Sequence, residues 1–229
     1  MPRPPASHGR TGRPPVTSRA QILTAARQLI DRDGWEKLTI RRLATEIGIG
    51  ATTLYRHIQD KDDLLVLLLN HYADQADRPT LPDTPHERII AAATAMHDTL
   101  AGWPWAAEVL TVDGFVGLLD ESALWMVESI IAAAEDAGRT PDQAVHIFRT
   151  IWYYTVGEIL VHARSTRRAD STLPTTHRTP FANLDPAQLP HLAALAARWP
   201  ALAAHDTYPQ GLRALVEGLL AQADSPAPN

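Results

Sequence analysis

The chain has 229 residues, a formal net charge of -5 and no cysteine. This length allows one large domain or two unequal ones with a sizeable core, and the lack of cysteine excludes disulfides and thiolate chemistry. No apolar run approaches the roughly 18 residues of a membrane span, and no apolar signal region opens the sequence, so we expect a soluble, cytoplasmic protein.

The charge is distributed unequally along the chain. Residues 1–61 carry eleven Lys or Arg against five Asp or Glu, whereas residues 62–229 carry ten against twenty-one. A basic region attracts a polyanion and an acidic region is repelled by it, so this pattern would orient the molecule on DNA.

Residues 1–16 are rich in Pro, Gly and Arg. Such a segment buries too little apolar surface to fold by itself, so we predict a flexible basic arm. Arg3, Arg10 and Arg13 could follow DNA into a minor groove, or the segment could be a solvated tail with no role in binding.

The first predicted helix follows this arm. Ser18 to Gln21 has the spacing of a capping box, and apolar residues then recur at helical spacing until Gly34, which we expect to end the helix. Trp35 and Leu38 are expected to close the core of a small three-helix head.

Two short helices joined by a glycine turn are predicted next. Thr39 is a suitable N-cap for the first of them, and residues 48–50 stop it because glycine adopts the left-handed conformation of tight turns. The second helix is predicted over residues 51–58, with Leu54 and Ile58 facing inward.

The second of these helices would expose hydroxyl, aromatic and basic side chains. Such groups donate to phosphates and base edges, so the pattern is typical of a helix-turn-helix that reads DNA. Two helices and a glycine turn also occur in helical proteins that do not bind DNA. The predicted outward residues are Thr52, Thr53, Tyr55 and Arg56.

A leucine-rich helix follows the head. Its leucines point in nearly every direction, so we predict a connecting helix over residues 63–78 that is buried between the head and the rest of the chain. Residues 78–85 contain three prolines and mark a boundary. The predicted domains are therefore a helix-turn-helix domain at 17–62 and a ligand-binding and dimerisation domain at 84–224.

This second domain is predicted to be helical throughout, because no convincing alternation of polar and apolar residues marks a strand. We therefore assign the chain to the all-α class, with a three-helix head and a larger helical bundle. Residues 165–185 should form a long loop. The predicted helices span residues 86–102, 104–111, 119–137, 141–166, 186–198 and 208–222.

The string TIRRLATEIGIGATTLYRHIQDK, residues 39–61, resembles the N-terminal signature of the TetR family of bacterial transcriptional repressors. That signature has a T-x-R-x-[IL]-A helix, a glycine turn and a TLYxH-like helix before K-x-x-L. The similarity covers about residues 18–70, and residues 53–57 are closest to the tetracycline-repressor branch. It implies a homodimeric regulator that binds a palindromic operator and is released by a small hydrophobic or aromatic effector.

The resemblance also implies which residues contact DNA. Arg41 would reach a guanine, while Tyr55, His57 and Lys61 would hold phosphates; His57 could instead cap the short helix. The implied contacts are Thr39, Arg41, Ala51, Thr52, Thr53, Tyr55, Arg56, His57 and Lys61.

Three of these positions depart from the tetracycline-repressor branch, which has glutamine, proline and tryptophan where this chain has Ala51, Thr52 and Arg56. Ala51 offers only a methyl contact, for example to thymine. The operator should therefore differ from that of the branch.

An effector pocket between the helices of the second domain is implied as well. Apolar and aromatic groups with a few polar ones could line it, although each aromatic residue could equally belong to the core. The candidates are His71, His97, Trp103, Trp105, Phe115, Trp125, Met126, Phe148, Trp152 and Glu158.

The helix from Ala144 to Ala163 is apolar around most of its circumference, and the last helix has an apolar stripe. The resemblance implies that these helices pair with their copies in a second subunit, although they could be core helices of a monomer. Two reader helices about 34–36 Å apart would then read a palindrome. The expected interface residues are Phe148, Ile151, Leu212, Leu215, Val216 and Leu219.

Other functions remain as alternatives. A transcriptional activator of the same fold or a helical protein-binding adaptor would fit the pattern, whereas no nucleophile, base and orienting group occur at a spacing that indicates an enzyme. Glu158 and His162 are four apart on one helix, but no third ligand accompanies them. We predict a hydrogen-bonded pair there, with no metal and no cofactor.

Overall fold

The computed structural model describes residues 18–76, 78–112, 114–169 and 184–222. Within these ranges the chain forms α-helices and two short 3-10 helices but no strand, which confirms the all-α prediction. It divides into two compact units, a first unit that ends at Leu68 and a second unit that begins at Leu69. The predicted arm at 1–16 lies outside the described residues.

The α-helices are α1 (Arg19–Asp33), α2 (Ile40–Glu46), α3 (Ala51–Leu54), α4 (Lys61–Gln75), α5 (Pro85–Ala101), α6 (Pro104–Leu110), α7 (Glu121–Asp136), α8 (Pro141–Ala169), α9 (Pro190–Leu195), α10 (Trp199–Ala203) and α11 (Tyr208–Ala221). The 3-10 helices are Trp35–Lys37 and Phe115–Leu118. The division between the units falls within α4, and the predicted domain limits at 62 and 84 remain predictions.

The helix ends of the first unit follow the sequence signals. The Ser18 hydroxyl accepts the N–H of Gln21 at 3.2 Å, and the Gln21 side chain accepts the N–H of Ser18 at 3.0 Å, which confirms the capping box. Gly34 ends α1 with φ 89°. Thr39 caps α2 by accepting the N–H of Arg42 at 3.2 Å, as predicted.

The core of the first unit includes the packing of α2 against α1 and α3, together with buried leucines from the start of α4. Each large aliphatic side chain that this core removes from water stabilises the unit by about 1.5–3 kcal/mol. Leu38 is buried, as predicted, and Trp35 is half-buried. The largest buried side chains are Ile22, Leu29, Leu38, Leu43, Leu54, Leu64, Leu65 and Leu68.

The predicted helix at 51–58 is α-helical only as far as Leu54. Beyond Leu54 the chain forms a tighter turn of the 3-10 type. The N–H of His57 donates to the Leu54 carbonyl, three residues back, at 2.9 Å. The chain must turn here because Asp60 already begins the next helix, accepting the N–H of Asp63 at 2.8 Å. The reader helix is therefore one turn shorter than expected.

In the second unit, α5 packs against α7, α8 and α11, while α6 and α7 pack against α8. Alanines allow α5 and α7 to approach closely, because Ala92 and Ala93 on α5 and Ala133 and Ala134 on α7 are fully buried. None of the described helices is long and apolar enough to cross a membrane.

Two predictions in the second unit are wrong. The helix expected at 186–198 is α-helical only over α9, because Pro190 occupies the first turn and residues 196–198 form a turn. The next helix, α10, begins at Trp199, outside the expected span, and has Pro200 in its first turn. The loop expected at 165–185 begins later, since α8 continues to Ala169. Residues 170–183 of that loop lie outside the described residues.

Candidate nucleic-acid interface and internal cavity

The α3 segment presents a polar surface that is anchored from below. Leu54 and Ile58 are 0% and 2% exposed, which confirms that they face inward. The opposite side, which we call the reader surface, consists of Thr52, Thr53, Tyr55 and Arg56, all of them exposed.

A turn at Gly48 joins α2 to this surface. Gly48 has φ 70°, a left-handed conformation in which other residues are strained, whereas Gly50 has an ordinary φ of -70°. The N–H of Ile49 donates to the Ala44 carbonyl at 3.0 Å, which holds the turn against the end of α2. The turn thus fixes where α3 begins.

The arginines near the turn fall into two groups. Arg32 binds both carboxylate oxygens of Glu46 at 3.1 Å, and Arg42 binds Asp33 at 2.5 Å. Hydrogen bonds from Arg32 lower the pKa values of the Glu46 and Asp33 carboxyl groups.

Arg41 and Arg56 belong to the other group. Both are exposed, and neither forms an ion pair with a carboxylate in the described part of the chain. Their guanidinium groups are therefore available to an anion such as a phosphate.

The remaining predicted DNA contacts differ in exposure. Thr39 and His57 are exposed, and Ala51 is half-buried. The Lys61 ammonium donates to the Glu36 carbonyl at 3.2 Å and lies 4.8 Å from the centre of the Trp35 ring. This bond uses one of its three N–H groups, so its contact with a phosphate remains a prediction.

The second unit contains a cavity of about 560 Å³. Leu69 and Ala73 of α4 contribute to its wall, together with residues from α5, α7, α8 and the segment between α6 and α7. Four of the ten predicted pocket residues lie on this wall: Trp103, Met126, Phe148 and Trp152. Most of the lining is therefore apolar or aromatic.

The polar part of the wall was missed by the sequence reasoning. Arg149 donates to the Tyr153 hydroxyl at 2.7 Å, and both residues line the cavity. The signal that could have found them is their position one residue after Phe148 and Trp152, on one face of α8.

The other predicted pocket residues lie away from the cavity wall. The Nε2 of His97 donates to the Glu158 carboxylate at 2.9 Å, and the His97 ring stacks on Tyr208 with ring centres 3.9 Å apart. His71 lies 3.2 Å from the Gln75 amide. The assignment of His71, His97 and Glu158 to the pocket is therefore corrected. His97 of α5 and Glu158 of α8 bind each other, and His71 contacts Gln75 of its own helix.

Two tryptophans also lie away from the cavity wall, whereas one phenylalanine is not tested. Trp105 is 5% exposed within the core, and Trp125 lies under Arg78 at 5.9 Å. Phe115 begins a 3-10 helix, but its side chain lies outside the described part of the structure.

The polar contacts around Tyr208 join three helices of the second unit. Its hydroxyl shares a hydrogen bond of 2.8 Å with Thr155, and burial raises the pKa of Tyr208 to about 12. Tyr154 stacks on the same ring at 5.4 Å and lies across Gly211 of α11. A β-carbon at Gly211 would overlap the Tyr154 hydroxyl.

Half of the predicted dimer contacts are buried within one chain. Ile151, Leu212 and Val216 are fully buried, so a second chain cannot reach them, and their assignment is corrected. Phe148 is half-buried on the cavity wall. Leu215 and Leu219 are partly exposed and remain interface predictions.

A helix-turn-helix with an exposed polar surface, followed by a helical unit with an apolar cavity, defines a DNA-binding regulator with a place for a small ligand. Residues 22–68 match the family model described as bacterial regulatory proteins, tetR family. Residues 78–223 match the model of the tetracyclin repressor-like C-terminal domain. The chain belongs to the TetR family, whose members are transcriptional regulators and not enzymes.

Individual relatives agree with this assignment. An HTH-type transcriptional regulator of Saccharopolyspora erythraea is 31% identical over 147 residues, which cover 63% of this chain and 61% of the relative. The HTH-type transcriptional repressor DrrR1 of Streptomyces coeruleorubidus is 31% identical over 150 residues, covering 64% and 54%. The match thus spans less than two thirds of each relative.

Among solved structures, the chain is similar to a possible TetR family transcriptional regulator from Streptomyces coelicolor A3(2). The TM-score is 0.68 at 26% sequence identity, and the match covers 89% of this chain and 99% of that one. The similarity therefore extends over both units.

Proposed function

We propose that this protein is a ligand-responsive transcriptional repressor that binds a palindromic operator as a homodimer. A small hydrophobic or aromatic effector in the cavity would release it from DNA. The reader surface carries this proposal, because buried Leu54 and Ile58 hold exposed hydroxyl, phenol and guanidinium groups in one fixed arrangement.

The chemistry of this surface suits DNA. Hydroxyl groups of Thr52 and Thr53 can donate to base edges or phosphates, and the unpaired guanidinium groups of Arg41 and Arg56 attract the backbone. Arg32 and Arg42 would contribute less, since Glu46 and Asp33 already neutralise them.

Exposed apolar residues on α8 support dimerisation. Val145 and Val161 are 43% and 67% exposed, and Leu215 and Leu219 on α11 are partly exposed. Large apolar side chains in such numbers on two packed helices favour a partner surface. A second copy would supply it and would bring two reader surfaces to one palindrome.

The effector would act through α4. Leu69 and Ala73 line the cavity, while Asn70 and Asp74 bind the start of α7: the N–H of Asp120 donates to Asn70 at 3.2 Å, and Ser122 donates to Asp74 at 3.0 Å. A ligand that favours one arrangement of these helices shifts the protein between DNA-competent and incompetent states.

Operator selection tests the DNA-binding proposal. The purified protein is incubated with duplex fragments of its genome, including the DNA beside its own gene, at low and moderate salt. We expect selective retention of a palindromic fragment that weakens steeply with salt, because each neutralised phosphate releases a counterion. Retention of no fragment at any salt would contradict the proposal. A reporter gene under that fragment then distinguishes repression from activation.

Tyr55→Ala tests the reader surface itself. Removing a 54% exposed phenol should leave the fold intact and weaken operator binding about tenfold, the loss expected for a hydrogen bond to a charged group. Fluorescence anisotropy measures the affinity, and Gln28→Ala, at an exposed position of α1, is the matched control. Equal affinity of the two variants would show that α3 does not touch DNA.

A further inference from the structure

The described wall of the cavity carries one formal charge. Arg149 is its only Lys, Arg, Asp or Glu residue, and no carboxylate within ion-pair distance neutralises it in the described part of the chain. The surrounding wall is apolar, including Met126, Phe148 and Trp152. A cationic ligand would be repelled by this wall, whereas an anion would be attracted to it.

The hydroxyl donor of the wall that remains free lies beside this charge, on Tyr153. The hydroxyls of Thr99 and Thr111 donate to carbonyls of their own segments, at 2.7 Å to Ala95 and 2.6 Å to Glu108. Tyr153 accepts from Arg149, so its own O–H remains able to donate. Arg149 and Tyr153 therefore offer donors, which fit a ligand atom that accepts.

Arg149 and Tyr153 are also the exposed part of the wall. Tyr153 is 60% exposed, whereas Met126 is buried and Phe148 and Trp152 are half-buried. An anion buried among apolar groups would lose its hydration at a large cost, but at this rim it keeps contact with water. The apolar body of the same ligand would occupy the interior.

We infer that the effector is an amphipathic anion: an aromatic or aliphatic body that fills the cavity, with one acidic group, such as a carboxylate, sulfonate or acidic phenol, bound by the Arg149 guanidinium and the Tyr153 hydroxyl. This inference rests on the proposed function, in which the cavity is the effector site. Arg149 contributes the charge and a planar pair of donors, and Tyr153 orients them through its hydrogen bond.

Two fluorescent probes of matched shape test the ligand class. Anilinonaphthalene sulfonate carries one anionic group, and N-phenylnaphthylamine is the same ring system without it. Both are titrated into the full-length protein without DNA, so the result does not depend on operator binding. In Arg149→Met, we expect the dissociation constant of the sulfonate to rise about tenfold, while that of the neutral probe changes less than twofold.

Three further variants define the site. Arg149→Lys keeps the charge but not the planar pair of donors, so its sulfonate affinity should lie between those of the wild type and Arg149→Met. Arg164→Met removes an exposed arginine of α8 that is not on the cavity wall, and it should leave both affinities unchanged. Ala123→Trp fills the cavity and should weaken both probes.

The results of these titrations distinguish the claim that Arg149 binds an anion from the claim that the cavity regulates DNA binding. Equal losses of both probes in Arg149→Met, or an unchanged sulfonate affinity, would overturn the anion assignment, as would failure of the wild type to bind the sulfonate. Circular dichroism and melting curves verify that each variant is folded. If the sulfonate binds through Arg149 but never affects DNA binding, the anion site stands and the regulatory role of the cavity falls.

Discussion

The two units build their functional surfaces in different ways. In the first unit, one continuous stretch from α2 to α3 supplies the reader surface, and a buried leucine directly beneath it fixes its position. In the second unit, residues from five α-helices and two connecting segments border the cavity, and each contributes only a few side chains. The first surface depends on a filled core, whereas the second depends on a volume left unfilled.

The two units can also be compared by which of their arginines form ion pairs and which do not. In the first unit, neighbouring arginines divide between structure and surface, since Arg42 binds Asp33 and Arg41 is left exposed. In the second unit, Arg88 and Arg213 tie α5 to α7 and α11, and Arg149 stands at the cavity rim. In each unit, the surface that we assign to an anionic ligand contains an arginine without a carboxylate partner in the described part of the chain.

Emptying the core beneath the reader surface should have the largest effect. Leu54→Ala removes a fully buried side chain and should lower the free energy of unfolding of the first unit by about 3 kcal/mol. Denaturant unfolding followed by circular dichroism measures this loss, with Thr53→Ala at an exposed neighbour as the control. A loss below about 1 kcal/mol would contradict the burial of α3. Binding of the neutral probe should persist, because the cavity belongs to the second unit.

Overfilling a contact in the second unit should have the next largest effect. Gly211→Ala places a methyl group against the Tyr154 hydroxyl and should destabilise the protein by about 1–2 kcal/mol. Gly218→Ala, in the same helix but with nothing within 4 Å, should instead stabilise it by about 0.5–1 kcal/mol. Thermal melting compares the two variants. The same sign for both would show that Tyr154 does not lie across α11.

The surface ion pairs should have the smallest effect, and a similar one in both units. Hydrogen bonds from Arg32 and Arg213 hold the pKa values of the Glu46 and Glu87 carboxyl groups below the usual 4.5. A lowered folded-state pKa contributes stability above pH 4.5 that is lost as the pH falls through the folded-state value. Glu46→Gln and Glu87→Gln should therefore flatten the acid side of the melting-temperature profile slightly, since exposed pairs stabilise little. An unchanged acid profile would count against these pairs in solution.

The difference between the units also explains what the sequence could predict. Caps, the glycine turn and the inward positions Leu54 and Ile58 follow from local spacing, so the helix-turn-helix was predicted almost completely. A contact between distant residues was not predicted, as at Lys61, whose ammonium binds a carbonyl 25 residues away. Local patterns contain no information about such contacts.

The cavity was predictable only in part for the same reason. Aromatic residue type identified Trp103 and Phe148, but it could not distinguish residues that border the empty volume from Trp105, which fills the core. His97 was expected in the pocket because it is polar, yet Glu158 and Tyr208 from two other helices hold it elsewhere. The dimer stripe was predictable only in part as well, since an apolar stripe cannot show which of its residues are covered within one chain.

The most direct test of the account is a release experiment that links the two surfaces. The protein is bound to its selected operator, and anilinonaphthalene sulfonate is added while fluorescence anisotropy follows the labelled DNA. We expect the sulfonate to release the operator from the wild type, and we expect Arg149→Met to require about tenfold more of it, in proportion to its weaker binding. Saturation of the cavity with no change in operator affinity would contradict the claim that this cavity controls DNA binding.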